Sequence, residues 1–161
     1  VNTDEAVVDQ LRARGIERCW IKRGDSHTQH LEDICQVRHA QEAQEVLQEF
    51  FLRGIKRAVI NRHLDGRLLK FYGVAGTDFF HAFCPYDDIS DLDVHALGTM
   101  CGRAADLLDV KIYGGDCIVD NAGRPTIIDF NDWPSFAPCR NEAATQIAKL
   151  VFAEIKQHQK H

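Results

Sequence analysis

Asp116, Asp129 and Asn131 are the residues of this chain whose types and spacing most clearly suit chemistry. Cys117-Ile118-Val119 and Thr126-Ile127-Ile128 are β-rich runs separated by Asp120-Asn121-Ala122-Gly123, the pattern of a hairpin. Asp116 opens the first strand, and Asp129 and Asn131 close the second. Antiparallel pairing brings those ends together, and the two-residue spacing points Asp129 and Asn131 to one face. Two carboxylates and an amide oxygen suit a hard cation such as Mg2+, which keeps several waters and is completed by the phosphates of a nucleotide. The plainer alternative is that Asp116 sits in a Gly-Gly turn and Asp129 pairs with a nearby cation at a strand end. Buried carboxylates between apolar flanks are costly without a task, which favours the metal reading for the three together.

The elements that must position these residues follow from periodicity. Asp4 to Arg14 has helical spacing, with Val7, Val8 and Leu11 apolar and Gly15 as the stop. Glu17 to Arg23 reads as a strand with Lys22 at its exit, followed by a polar loop that contains His27. Asp33 to Val37 is a second strand, and Ala40 to Leu52 a helix that ends before Gly54. Lys56 to Leu64 returns to strand, Asp65-Gly66 is a tight-turn signal, and Arg67 to Val74 is its expected hairpin partner. Thr77 to Phe83 extends that sheet. A helix follows over Leu92 to Leu108, with Leu92, Ala96, Met100, Ala104, Leu107 and Leu108 on its apolar face. After the acidic hairpin, Asn141 opens a last helix to about Gln157 with Ala144, Ile147, Ala148, Val151, Phe152 and Ile155 inward. The expectation is two α+β lobes, 1–63 and 64–161, hinged near residues 61 to 65 with a cleft between them. Lys22 would line one wall, and Lys70 and the hairpin the other.

Composition limits the function classes. With 161 residues, 45% of them hydrophobic, the chain can bury a real core. A net charge of −5 and the lack of a Lys/Arg-rich run argue against a nucleic-acid partner. No apolar run approaches the ~20 residues that span a bilayer, so no membrane partner is expected and the cytoplasm is the expected compartment. The 6 cysteines are far apart and read as reduced thiols, and the 8 histidines show no zinc spacing. The chain begins at Val1 and its one methionine is Met100, which predicts further sequence upstream.

These residues resemble the ATP-grasp superfamily, in which two α+β lobes with antiparallel sheets hold ATP between them. The likeness covers nearly the whole chain. Gly115-Asp116 with Asp129-Phe130-Asn131 resembles the family's magnesium motif, although members often carry Glu where this chain has Asp129. Trp20-Ile21-Lys22-Arg23 resembles the strand bearing the family's first phosphate-contacting lysine, and a solvated strand end is the bland alternative for Lys22. Asn61, Arg62 and His63 take the place of the hinge that reads adenine through its backbone, without the acidic residue common there. By the same resemblance Lys70 is a second phosphate- or substrate-facing cation, and His27 lies in the loop over the phosphates.

The resemblance implies ATP and Mg2+ as cofactors and a ligase that activates a carboxylate as an acyl phosphate for attack by an amine or thiol. Positioning and charge neutralisation are what such phosphoryl transfer needs. Arg140 would hold an anionic small-molecule acceptor, or else is a helix-start arginine paired with Glu142 or Asp132. Trp133 and Phe136 read as packing residues. The alternatives are a small-molecule kinase of the inositol-phosphate-kinase type and a non-catalytic nucleotide-binding fragment, since family enzymes usually carry a preceding α/β domain, an expected partner for this chain.

Overall fold

The computed structural model describes residues 6–25 and 30–159. It divides into two compact units, residues 1–64 and 65–161. In the first, β1 (Cys19–Arg23) is the centre of a three-stranded antiparallel sheet, flanked by β2 (Ile34–Val37) and β3 (Ala58–Arg62). Alternation on β1 sends Cys19 and Ile21 to one face, where they meet Val7 and Leu11 of α1 (Ala6–Ala13) and Ala43, Leu47 and Phe50 of α2 (Ala40–Leu52). Trp20 and Lys22 are therefore left on the face without helices.

Among the described residues of this unit the fully buried polar one is Asp33, which ends a short 3-10 turn, Leu31–Asp33, just before β2. Its carboxylate accepts hydrogen bonds from the Arg53 guanidinium and from the His30 backbone N–H at 3.1 Å, with Arg23 at 3.9 Å. Arg53 in turn lies 5.8 Å over the Phe50 ring. The strand expected from Asp33 thus starts one residue later, because Asp33 is spent on pinning the turn.

In the second unit the sheet runs β5-β4-β6-β7, all antiparallel: β4 (Arg67–Val74), β5 (Phe80–Phe83), β6 (Ile112–Val119) and β7 (Pro125–Asp132). The expected hairpin of β3 with β4 does not form, since β3 pairs with β1 in the other sheet. Asp65-Gly66 is a passage between units rather than a β-turn closing a ladder. Leu69, Phe71, Tyr113, Cys117 and Val119 face α3 (Val94–Leu108), which covers one side of the sheet. The inward face of α3 is Leu97, Cys101 and Ala105, with Met100 and, just before the helix, Leu92 packed beside them as expected, whereas Ala96, Leu107 and Leu108 are exposed, Leu107 at 89%, so the expected apolar face holds in part and fails at the end of the helix. Small side chains win here because α3 lies close against the sheet: a Cβ on Gly98 would stand 3.1 Å from the Phe80 ring.

The other side of this sheet is covered at one end only. Val74 and Phe79 pack there against Phe136, Cys139 and Ala143, at the start of α4 (Arg140–His158). Ala143, Ile147 and Leu150 are the packed positions of α4, while Val151, Phe152 and Ile155, expected inward, are exposed. The rest of that sheet face is open.

Candidate active site

On that face the ladder places residues in rows, the first on the open half and the second at the border of the covered end. Phe83, Lys70, Asp116 and Asp129 stand opposite one another across β5, β4, β6 and β7, and His81, Tyr72, Gly114 and Asn131 form the next row. Directly opposed residues share a face, so the three oxygen-bearing residues read from sequence are brought together, with Lys70 beside them. Asp116 lies within β6 rather than at its start, because β6 begins at Ile112.

A β-bulge makes this alignment possible. Asp116 pairs with Asp129 and Cys117 with Ile127, leaving Ile128 as an extra residue on β7. Ile127 and Phe130 can then both pack on the α3 side while Asp129 and Asn131 face away from it. Gly115 lets the strands close at the bulge: a Cβ there would lie 2.1 Å from the Asp129 carbonyl oxygen. The hairpin turn is held by Asp120, whose Oδ1 accepts the backbone N–H of Ala122 and of Arg124, each at 2.9 Å.

Each member of the acidic set has an internal partner. Lys70 Nζ donates to Asp116 Oδ1 at 2.9 Å, and Asn131 Nδ2 donates to Asp129 Oδ2 at 2.8 Å. The Asp116 hydrogen bond holds the Lys70 pKa above its ordinary value, against the opposing effect of burial. Tyr72 is pushed up by burial and pulled back by Lys70. Among the described residues no group of three or more His, Cys, Asp or Glu is placed to hold a metal ion. The donor set is two carboxylates and one amide, which suits a hard cation that draws its remaining ligands from phosphate and water, and does not suit zinc.

The loop after β7 folds back over this face. Pro134 sits on Gly114, where a Cβ would be 2.8 Å from the proline Cγ, and Phe136 packs on Tyr72 at 5.5 Å between ring centroids. Trp133 and Phe136 hold φ values of 48° and 51°, a region that side-chain-bearing residues occupy at a cost. Phe136 is buried, as expected of a packing residue, but Trp133 is 67% exposed, so it is not one. Arg140 opens α4, is exposed, and has no side-chain hydrogen bond or ion pair among the described residues; the expected alternative pairing with Glu142 or Asp132 is absent there.

In the first unit Lys22 is half-buried on the open sheet face, opposite Ile34 and Val59. Trp20 lies on that face opposite Asn61, and its indole N–H donates to His63 Nδ1 at 3.0 Å. His63 is also tied by its backbone N–H to the Arg18 carbonyl at 2.9 Å. Arg62 turns away, donating to the Arg14 carbonyl at 3.0 Å, which engages its guanidinium in structure. His27 lies outside the described residues.

Sequence reading missed Tyr72, His81 and Phe83. Tyr72 and Phe83 are parallel to within 6° at 6.4 Å, and the His81 ring lies 5.9 Å from Phe83. The signal was available in principle: Tyr72 is two residues from Lys70 on one strand, so it shares that face. Finding His81 and Phe83 needs the β4–β5 register, which periodicity does not give.

No protein-family model and no curated protein matches this sequence. Solved structures do match. The D-alanine-D-alanine ligase from Coxiella burnetii is similar at TM-score 0.73 and 14% identity, over 99% of this chain and 51% of that one. D-alanyl-alanine synthetase A from Vibrio cholerae O1 biovar eltor is similar at TM-score 0.64 and 9% identity, over 85% and 49%. An ATP-grasp ligase, PsnB, complexed with a precursor peptide and AMPPNP, is similar at TM-score 0.56 and 17% identity, over 91% and 51%. The chain spans about half the length of these structures. The likeness first seen in the sequence motifs therefore holds at the level of architecture, and this chain has the ATP-grasp fold.

Proposed function

We propose that this chain supplies the nucleotide-handling part of an ATP- and Mg2+-dependent ligase that activates a carboxylate as an acyl phosphate for attack by an amine or thiol. The observation that carries this reading is the row of Lys70, Asp116 and Asp129 with Asn131 beside it, on an open sheet face of an ATP-grasp fold.

In this reading Asp116, Asp129 and Asn131 hold Mg2+, which when bound neutralises charge on the phosphates and orients them. Lys70 stands within the same row and offers its ammonium to the triphosphate. Lys22, the half-buried cation on the open face of the first unit, is the other phosphate contact, and the backbone around Asn61, Arg62 and His63 receives the base, the His63 N–H excepted because it is bonded to the Arg18 carbonyl. An acceptor carboxylate oxygen bonds to the γ-phosphorus as the bond to the bridging oxygen breaks and ADP leaves. The nucleophile then attacks the acyl carbon, loses its proton, and inorganic phosphate departs. Arg140, unpaired among the described residues at the start of α4, and the exposed Trp133 are the residues proposed to meet the acceptor.

Because the chain spans about half of its structural neighbours, binding is the first test and turnover the second. Calorimetry with ATP, with and without Mg2+, is expected to show metal-dependent binding that the Asp129→Ala/Asn131→Ala variant loses while its far-UV circular dichroism stays unchanged. Binding that ignores both metal and variant would sink the proposal.

A further inference from the structure

We infer that Lys70 is the internal counter-cation of the acidic row, so that the site takes a divalent metal only together with a polyphosphate and discriminates against the bare ion. The inference rests on the metal and nucleotide reading above and deepens it by naming the form of the ligand.

Asp116 and Asp129 are directly opposed on β6 and β7, and a single cation, Lys70, is bonded to the pair through Asp116. Asp129 has no ion-pair partner among the described residues and is instead satisfied by the Asn131 amide N–H. A bare divalent ion at Asp116 would compete with the ammonium already bonded to Oδ1, and the Asn131 amide would have to reverse to present its oxygen. The ion would also leave that ammonium beside a new double positive charge. At the partial burial of this pair, with side chains 39% and 28% exposed, water screens such repulsion incompletely.

A polyphosphate changes the balance, because it offers Lys70 a new anion. The lysine has a flexible four-carbon stem and three rotatable donors, so it can pass from Asp116 to a phosphate oxygen without backbone movement. Metal and polyphosphate are thereby coupled through one side chain, and the coupling is reciprocal: each raises the affinity for the other by the same factor.

The experiment measures free Mn2+ by electron paramagnetic resonance in titrations of the full chain, with and without a β,γ-imido ATP analogue. Wild type, Lys70→Met, Lys70→Gln and Asp129→Asn are compared. In wild type the analogue is expected to tighten Mn2+ binding by roughly 5- to 150-fold, the usual range of such coupling. Both Lys70 variants are expected to bind Mn2+ alone about tenfold more tightly than wild type and to lose most of the enhancement by the analogue. Lys70 variants that bind Mn2+ alone no better than wild type, in folded protein, overturn the counter-cation role. If Asp129→Asn leaves Mn2+ binding with the analogue intact, the metal and nucleotide reading itself fails. The two failures are thus told apart by different variants.

Discussion

Asp33 shows how much one residue can organise. Its carboxylate is fully buried, yet it is satisfied by Arg53, by the His30 N–H and by the more distant Arg23. The pair ties the turn before β2 to the end of α2, next to the strand that carries Lys22. Removing the cation is worse than removing both charges, because it takes the nearest counter-charge from a buried carboxylate. Arg53→Met is expected to cost roughly 3–5 kcal/mol in urea unfolding, and Asp33→Asn added to it to recover a substantial part. Additive losses in the double variant would show that the two residues act independently. At the site, by contrast, the half-exposed Lys70–Asp116 pair adds little to stability. Its weight lies in placing charge, so variants there are expected to separate binding from folding.

At the scale of elements, the bulge at Ile128 and Gly115, which pairs with Phe130 beside it, decide whether the site exists. Gly115→Ala would press a methyl group into the Asp129 carbonyl, and relief requires the bulge to shift. Overpacking of this kind costs about 1–3 kcal/mol. The expected outcome is loss of metal-dependent nucleotide binding at denaturant concentrations far below the unfolding midpoint, and calorimetry set beside an unfolding curve checks it. Most elements were legible in the sequence: α2 and β4 begin and end where periodicity puts them, because their apolar residues repeat cleanly and Gly54 and Gly66 punctuate them. Asp116, Asp129 and Asn131 were legible because polar residues at strand positions between apolar runs stand out. What was not legible depended on tertiary choice. On α3 the sequence offers Leu107 and Leu108 as a core face, yet the close approach of helix and sheet favours Leu97, Cys101 and Ala105. On α4 apolar residues occur around most of the helix, so only the neighbouring sheet decides that Ala143, Ile147 and Leu150 are inside. The β3–β4 hairpin failed because a turn signal states that the chain reverses, not which sheet each strand joins.

At the scale of the whole molecule, the core of the second unit contains groups that must stay neutral. Burial pushes the Cys101 thiol up to about 12, Cys117 to about 11 and the Tyr113 phenol to about 12, from ordinary values of 9.0, 9.0 and 10.0. A group whose folded pKa is raised favours the folded state fully below its unfolded pKa and loses that advantage as pH climbs toward the folded value. Stability is therefore expected to be level through pH 8 and to fall between about pH 9 and 12, at about 1.4 kcal/mol per pH unit for each thiol in that window. Urea midpoints at pH 8 and pH 10.5 check this, and Cys101→Ala should flatten the slope. A flat profile in wild type would mean that these thiols reach water. β7 is an edge strand with unpaired backbone groups along its outer side, and such edges recruit strands from other chains unless charge or proline blunts them. Pro125, Asp129 and Asp132 lie on this strand, and proline and carboxylates are residue types that blunt an edge. Neutralising Asp129 is expected to raise self-association of folded protein, visible by light scattering, and a lost activity in such a variant has meaning only once the sample is shown to be monodisperse.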